Sequence, residues 1–142
     1  MRRRMKRKNV NVLRIFTRNR RIIIMEVEGG IVVMNNKIIF EQLIPKMIEV
    51  YGDIVERIIL YGSAARGTQT EESDIDILVI LKDKENSFMK EQITDILVDF
   101  ELEYNKVLSV VKIDYEKFTL WENTMPFYKN IKREGIILWQ AA

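Results

Sequence analysis

Residues 60–81 read LYGSAARGTQTEESDIDILVIL, and this stretch contains the features that decide the fold. Two apolar segments, 55–61 and 75–81, have the length and composition of strands, and a loop rich in Gly, Ser and Thr separates them. The second segment is apolar almost throughout, which is typical of a central strand covered on both faces. The sequence therefore predicts a sheet whose first strand ends at Gly62 and whose next strand begins beside two aspartates.

Apolar residues recur at helical spacing on both sides of this strand pair. They predict a helix from Ile38 to Tyr51, in which Pro45 makes a kink or starts a second half, and a helix that ends at Tyr104 with Ser87 as its N-cap. The other predicted elements are a strand over 107–113, helices over 115–121 and 126–134 (the latter opened by Thr124), and a strand or hydrophobic plug over 136–139. Together they predict an α/β (α+β) domain with a small mixed or antiparallel sheet flanked by helices. Four aromatic residues are expected in its core: Trp121, Phe127, Tyr128 and Trp139.

The composition limits the classes of protein and site. With 142 residues, 47% apolar and 31% charged, the chain has the composition of one globular domain, and charged residues interrupt every apolar run before the roughly 18 residues of a membrane span. We expect a cytoplasmic protein with no membrane partner. The sequence contains neither Cys nor His, which excludes a thiolate nucleophile and an imidazole base or ligand. Any metal must therefore be held by oxygen, which favours magnesium, manganese or calcium.

The charge is unevenly distributed along the chain. Residues 1–33 carry ten Lys or Arg against two acidic residues, a net of +8, whereas residues 34–142 carry a net of −6. The basic segment is either a nucleic-acid-binding arm or a stretch that precedes a translation start at Met34. The second interpretation is favoured, because codons for Glu28-Gly29-Gly30 can spell a ribosome-binding sequence. The expected division is a basic extension over 1–33, disordered or a start-site artefact, and a domain over 34–142.

The residue pattern that carries chemistry is Gly62-Ser63, ten intervening residues, and Asp74-Ile75-Asp76. Residues two apart on a strand point to the same side, so the two carboxylates are expected to lie together. Two neighbouring carboxylates repel each other, and a divalent cation relieves that repulsion. Magnesium suits such a site because it binds one or two carboxylates together with phosphate oxygens and water.

The loop between the two strands provides donors for an anion. Gly62 allows a sharp turn and brings backbone N–H groups close to a ligand, and Ser63 adds a hydroxyl group. If residues 64–66 form a helical turn, its first N–H groups point at bound phosphate. Arg66 either adds positive charge to the same phosphates or braces the loop through a neighbouring acid, Glu71 or Glu72.

Other chemistries fit the pattern less well. In phosphatases the paired aspartates follow an apolar strand, and here they precede one. A glycosyltransferase needs more than the 109 residues of the domain, and no His is present to activate Ser63 as a hydrolase nucleophile. Strand-end charges without a function are the plain alternative for Asp74 and Asp76, and the spacing from Gly62-Ser63 argues against it.

The stretch LYGSAARGTQTEESDIDILVIL resembles the nucleotidyltransferase superfamily related to DNA polymerase beta. In particular it resembles the minimal nucleotidyltransferases, which are often paired with a HEPN-domain protein in toxin–antitoxin modules. The resemblance covers Met34 to Trp139 and is sharpest over 55–81. It implies the minimal nucleotidyltransferase fold and transfer of a nucleoside monophosphate, AMP from ATP, onto an acceptor hydroxyl of a HEPN-type partner.

The resemblance also implies roles for single residues. Gly62 and Ser63, assisted by Arg66, bind the nucleotide triphosphate, and Asp74 and Asp76 are catalytic and hold two magnesium ions. The family uses a third carboxylate on a neighbouring strand, and the equivalent position here is Leu108 or Ser109, neither of which is acidic. The other nearby acids have structural explanations: Asp114 is expected to cap the next helix, and the helix charges are expected on a solvated face (Asp99, Glu101 and Glu103).

Two functions therefore stay open. One is a nucleotidyltransferase whose second metal site is doubtful. The other is a weakly active or inactive nucleotide-binding antitoxin or regulatory module that acts by binding its partner. Because residues 34–142 carry a net charge of −6, nucleic acid is not an expected partner except through residues 1–33.

Overall fold

The computed structural model describes residues 14–18, 21–25, 36–68, 70 and 72–142, with side chains from residue 36 onward. The Glu28–Gly30 stretch and the expected start at Met34 lie outside these residues. The division of the chain at residue 34 therefore stays a prediction. Within the described residues, no helix has the length and apolar character needed to cross a membrane.

Among the described residues, six strands form one mixed sheet in the order β2-β1-β6-β3-β4-β5. The β4–β5 and β1–β6 pairs are parallel and the other pairs are antiparallel. Helices flank this sheet, which confirms the predicted fold class. The elements in chain order are β1 (Arg14–Arg18), β2 (Arg21–Met25), α1 (Lys37–Tyr51), a 3₁₀ turn (Gly52–Ile54), β3 (Val55–Tyr61), α2 (Gly62–Arg66), β4 (Ile75–Leu81), α3 (Ser87–Tyr104), β5 (Leu108–Asp114), α4 (Tyr115–Trp121), α5 (Pro126–Glu134) and β6 (Ile136–Gln140).

Strand β4 is central, as its apolar sequence predicts. Its residues 75, 77, 79 and 81 face a core that includes α1 and α3, and Leu78 and Ile80 face a second core with Phe118 of α4 and Ile131 of α5. Six of its seven residues are buried, and Asp76 is the exception. Because both faces of β4 are covered, the strand places Asp76 at a fixed point at its N-terminal end.

Helix α1 is continuous through Pro45, so a second helix does not start there. Proline lacks the N–H that would bond to the preceding turn, which weakens one contact of the helix. The apolar face that includes Phe40, Leu43 and Met47 is completely buried and stabilises the helix on both sides of Pro45.

Two predicted helix starts are displaced by one residue. Asn86, not Ser87, is the N-cap of α3, because its Oδ1 accepts a hydrogen bond from the N–H of Met89 at 2.8 Å. Helix α5 has Met125 rather than Thr124 at the N-cap position, followed by a proline in the first turn.

The C-terminal segment forms a strand, which decides between the two predicted alternatives. Strand β6 lies between β3 and β1, and Trp139 is buried as expected. Beyond it, β1 and β2 pair as an antiparallel hairpin with Arg18 opposite Arg21. The sequence predicts no element there, because residues 1–33 show no regular amphipathic period.

Gly135 joins α5 to β6, and the space around it explains why no side chain is present. A Cβ at this position would overlap the carbonyl oxygen of Ile131 and would lie 2.7 Å from Cγ2 of Ile59.

We predict that Gly135→Ala lowers the free energy of unfolding by roughly 1–3 kcal/mol through overpacking, as measured by urea denaturation. Lys129→Ala, on the exposed side of the same helix, is the control and should change it by less than about 0.5 kcal/mol. Equal stability of the two variants would contradict the tight packing.

Candidate functional site

Three residues form a row across the sheet at the end of β3 and the start of β4 and β5. Tyr61 pairs with Asp76 across β3 and β4, and Asp76 pairs with Ser109 across β4 and β5. Paired residues on neighbouring strands point to the same face of a sheet. The carboxylate of Asp76 therefore lies between the side chains of Tyr61 and Ser109, on the face that α4 and α5 cover.

Gly62 brings the main chain against the carboxylate of Asp76. Its φ of +72° lies in the left-handed region, which side-chain-bearing residues rarely adopt. A Cβ at this position would overlap Oδ2 of Asp76 and lie 3.2 Å from its Cγ. Both the backbone conformation and the close approach therefore require glycine at position 62.

Helix α2 fixes the residues that follow. It runs from Gly62 to Arg66 and is capped by Gly67, whose φ is +74°. The N–H of Gly67 donates a hydrogen bond to the carbonyl of Ser63 and terminates the helix. Ala64 and Ala65 are buried against the core, and Ser63 is half-buried beside them. The short helical turn expected in this loop is present, and it begins two residues earlier than expected.

The two aspartates lie in different environments. Asp74 is exposed just before β4, and Asp76 is half-buried on the strand. Burial raises the pKa of Asp76 above its usual value, the negative charge of Asp74 raises it further, and Arg66 lowers it. The two carboxylates are thus close enough to repel each other. A pair of neighbouring carboxylates is a donor set that suits a hard divalent cation. Among the described residues, no group of three or more acidic side chains is placed to hold a metal ion.

The strand register assigns the third-carboxylate position to Ser109. Leu108 pairs with Ile75 and is buried in the opposite core, whereas Ser109 lies beside Asp76. A serine hydroxyl binds magnesium more weakly than a carboxylate and is not a base at neutral pH. The equivalent position is therefore polar without being acidic.

The remaining candidate acids lie away from this row. Asp114 is the N-cap residue of α4, as predicted, but its side chain makes no capping hydrogen bond and pairs with Lys117 at 3.8 Å. Glu101 is half-buried and accepts a hydrogen bond from the N–H of Leu108 at 2.9 Å, which corrects its placement on a solvated face. The two other acids on that helix, Asp99 and Glu103, are exposed as predicted.

Arg66 pairs with an acidic residue of α5. Its Nη1 lies 3.8 Å from Oε2 of Glu134, whereas Glu71 is outside the described residues and Glu72 is exposed. Half of the Arg66 side chain is exposed, so this ion pair contributes little to stability. The guanidinium still lowers the pKa of Asp76, which places its positive charge beside the carboxylates.

Two aromatic residues, Tyr61 in this row and Phe127 beside it, were not predicted as part of a site. Burial and the nearby carboxylate of Asp76 raise the pKa of Tyr61. The ring of Phe127 meets the ring of Tyr61 at 5.9 Å and 87°, and 42% of Phe127 is exposed, so its predicted place in the core is wrong. The position of Tyr61 directly before Gly62 could have indicated its location, but nothing in the sequence indicates that Phe127 lies beside it.

Comparison with known proteins identifies the family. The nucleotidyltransferase domain family matches residues 40–138, and the chain therefore belongs to it, as the motif over residues 60–81 predicts. A Methanocaldococcus jannaschii protein with the provisional name protein adenylyltransferase MJ0604 is 29% identical over 106 residues, covering 75% of this chain and 100% of the relative.

Solved structures also resemble the chain. A provisionally named nucleotidyltransferase from Sulfolobus solfataricus is 18% identical, with a TM-score of 0.46 and coverage of 80% of this chain and 91% of that one. A chain in the complex of a tri-AMPylated Shewanella oneidensis HEPN toxin with MNT antitoxin is 18% identical, with a TM-score of 0.42 and coverage of 74% and 73%.

The raised pKa of Asp76 predicts an effect on stability. A carboxyl group whose pKa is raised on folding favours the protonated form in the folded state, so the ionised form present at neutral pH destabilises the fold. Asp76→Asn removes the charge and keeps the shape, and we predict that it raises the thermal unfolding midpoint at pH 7 by about 2 °C or more when EDTA is present. Differential scanning calorimetry measures this change. Asp99→Asn, on the exposed side of α3, should leave the midpoint unchanged, and a midpoint of Asp76→Asn below that of the wild type would contradict the prediction.

Proposed function

We propose that this protein is a magnesium-dependent nucleotidyltransferase that transfers AMP from ATP onto an acceptor hydroxyl. The observation that carries the proposal is the approach of the Gly62 main chain to the carboxylate of Asp76. This approach brings a phosphate-binding turn and a cation-binding carboxylate to one point. A nucleoside triphosphate bound with a divalent cation presents the charges that match both.

Asp74 and Asp76 would hold the magnesium, because their mutual repulsion is relieved by a cation and their oxygens are the ligands that magnesium prefers. When bound, magnesium supplies Lewis-acid stabilisation of the charge that develops on the phosphate oxygens. The N–H groups of the first turn of α2 and the hydroxyl of Ser63 would bind the triphosphate. Arg66 adds positive charge on the same side of the carboxylates.

The reaction forms a bond between the acceptor oxygen and the α-phosphorus and breaks the bond from that phosphorus to the bridging oxygen, so that pyrophosphate leaves. The proton of the acceptor hydroxyl must be removed during the step. Ser109, at the position where the family has a third carboxylate, is not a base. We therefore propose that the proton passes to water or to a group on the acceptor.

The identity of the group transferred and of the acceptor comes from relatives. The Methanocaldococcus jannaschii relative, all of whose length is matched by this chain, bears the name of a protein adenylyltransferase. This name supports AMP as the transferred group and a protein as the acceptor. The resemblance of residues 60–81 to minimal nucleotidyltransferases extends the proposal to a HEPN-domain partner.

An assay with α-³²P-labelled ATP tests the proposed function. The protein is incubated with magnesium, the labelled ATP and candidate HEPN-domain proteins, and transfer is followed by gel autoradiography. We predict label on the partner, and a loss of at least about 100-fold in rate when Asp74→Asn and Asp76→Asn are combined. Asp95→Asn plus Asp99→Asn, a matched double variant on the exposed face of α3, should retain the wild-type rate.

Labelled pyrimidine and guanine nucleotides, and RNA in place of the partner, show whether another donor or acceptor is used. If ATP binds and no acceptor becomes labelled, the enzyme proposal is wrong.

Ser109 favours a second candidate function. With a serine beside Asp76, the chain has two carboxylates rather than three at the site. Such a site can still bind a nucleotide through one cation, while activation of the acceptor is weak. The alternative is therefore a nucleotide-binding antitoxin or regulatory module that acts by covering its partner.

A carboxylate introduced at position 109 separates the two functions. In the register of β4 and β5, Ser109→Asp places a third carboxylate next to Asp76, where it adds a ligand and a base. We predict that the label-transfer rate rises by about 10-fold or more; a positioned base typically contributes roughly 100- to 10,000-fold, and an introduced carboxylate is expected to recover part of that. Thr94→Asp, at an exposed position of α3, makes the same change of charge away from the site and should give no increase. A lower rate in Ser109→Asp than in the wild type would show that this position does not face the reacting atoms.

A further inference from the structure

On the face of the sheet that carries Asp76, the next cross-strand row, two residues farther along β4, is apolar. In that row Ile59 pairs with Leu78, and Leu78 pairs with Val111 of β5. Ile59 and Leu78 are buried against α4 and α5, but 37% of Val111 is exposed. Uncovered apolar surface therefore begins one row from the carboxylates, toward β5.

Phe127 supplies a second apolar surface at the same end of the molecule. It is the second residue of α5, and its ring contacts two others almost perpendicularly: that of Tyr61 at 5.9 Å and that of Tyr128 at 5.6 Å. These contacts leave 42% of Phe127 exposed. The ring therefore has free surface beside a residue that pairs directly with Asp76.

Helix α5 holds this ring in position. Ile131 anchors the helix in the core with 4% of its surface exposed, and Glu134 contacts Arg66 of α2. Helix α5 thus meets the end of β3 through Phe127 and the phosphate-binding turn through Glu134. A ring fixed in this way loses little conformational entropy when a ligand packs against it.

We infer that Phe127 stacks against the nucleobase of the bound nucleotide. A nucleoside triphosphate has a charged end and a flat aromatic end, and the site has carboxylates and a phosphate-binding turn beside exposed apolar surface. The inference rests on the proposed nucleotide site and adds the part that holds the base. Phe127 is a positioning residue and takes no part in proton transfer.

Stacking on a phenyl ring depends on the area of the base rather than on its hydrogen-bonding groups. Purine rings are larger than pyrimidine rings and gain more from this contact. The wild-type protein should therefore bind ATP and GTP more tightly than CTP and UTP. This preference should be reduced when the ring of Phe127 is removed.

Calorimetric titration of the whole chain in magnesium tests the inference with three ligands: ATP, CTP and inorganic tripolyphosphate. We predict that Phe127→Ala weakens ATP binding by roughly 5- to 50-fold, weakens CTP binding less, and leaves tripolyphosphate binding unchanged. Phe127→Leu keeps apolar volume against Tyr61 without the ring and should show the same pattern. Phe127→Trp should bind ATP at least as tightly as the wild type.

Phe88→Ala is the matched control. Phe88 is 66% exposed on α3, which packs on the opposite face of the sheet, so its removal should change none of the three affinities. Unchanged ATP binding in Phe127→Ala overturns the inference and leaves the proposed function standing. Equal weakening of ATP and tripolyphosphate binding also overturns it, because that result shows damage to the phosphate site. Absence of ATP binding in the wild type overturns both proposals.

Discussion

The approach of the Gly62 main chain to the carboxylate of Asp76 is the contact on which the rest of the site depends. It requires β3 to end where β4 begins, a glycine with positive φ at the turn, and a short helix that starts immediately after it. A displacement of β4 by one residue would turn Asp76 into the opposite core and Ile77 toward the turn. The burial of β4 on both faces prevents such a displacement, because its apolar residues have no other place to pack.

This arrangement has an energetic cost that the core offsets. A half-buried carboxylate beside a second one is unfavourable in the folded chain, as the raised pKa of Asp76 indicates. The two cores around β4 supply the opposing free energy, and their largest completely buried side chains include Phe40, Tyr51 and Phe118. Helix α5 belongs to this support and to the site, since Ile131 is in the core while Phe127 and Glu134 contact the residues around Asp76. A residue that anchors this helix can therefore change ligand binding without touching the ligand.

The sequence predicts the central strand and the position of the two aspartates because both depend on local patterns: a continuous apolar run and residues two apart. It does not decide between Leu108 and Ser109, since that choice depends on the register of β5 against β4. Asn86 and Ser87 are both good N-caps, and the path of the chain into α3 selects the first. The pairing of Arg66 with Glu134 and the exposure of Phe127 depend on how α5 lies on the sheet. Helical spacing shows that a face is apolar, but it does not show which of its residues reach the edge of the covered surface.

The central claim is that the Gly62 turn and the Asp74–Asp76 pair together form one cation-dependent nucleotide site. Titration of ATP into the whole chain by calorimetry, once with magnesium and once with EDTA, tests this claim most directly. The account predicts one saturable binding site in magnesium and an affinity at least about 10-fold lower in EDTA, because uncompensated carboxylates repel the triphosphate. Equal affinity under the two conditions, or no binding in magnesium, would contradict it.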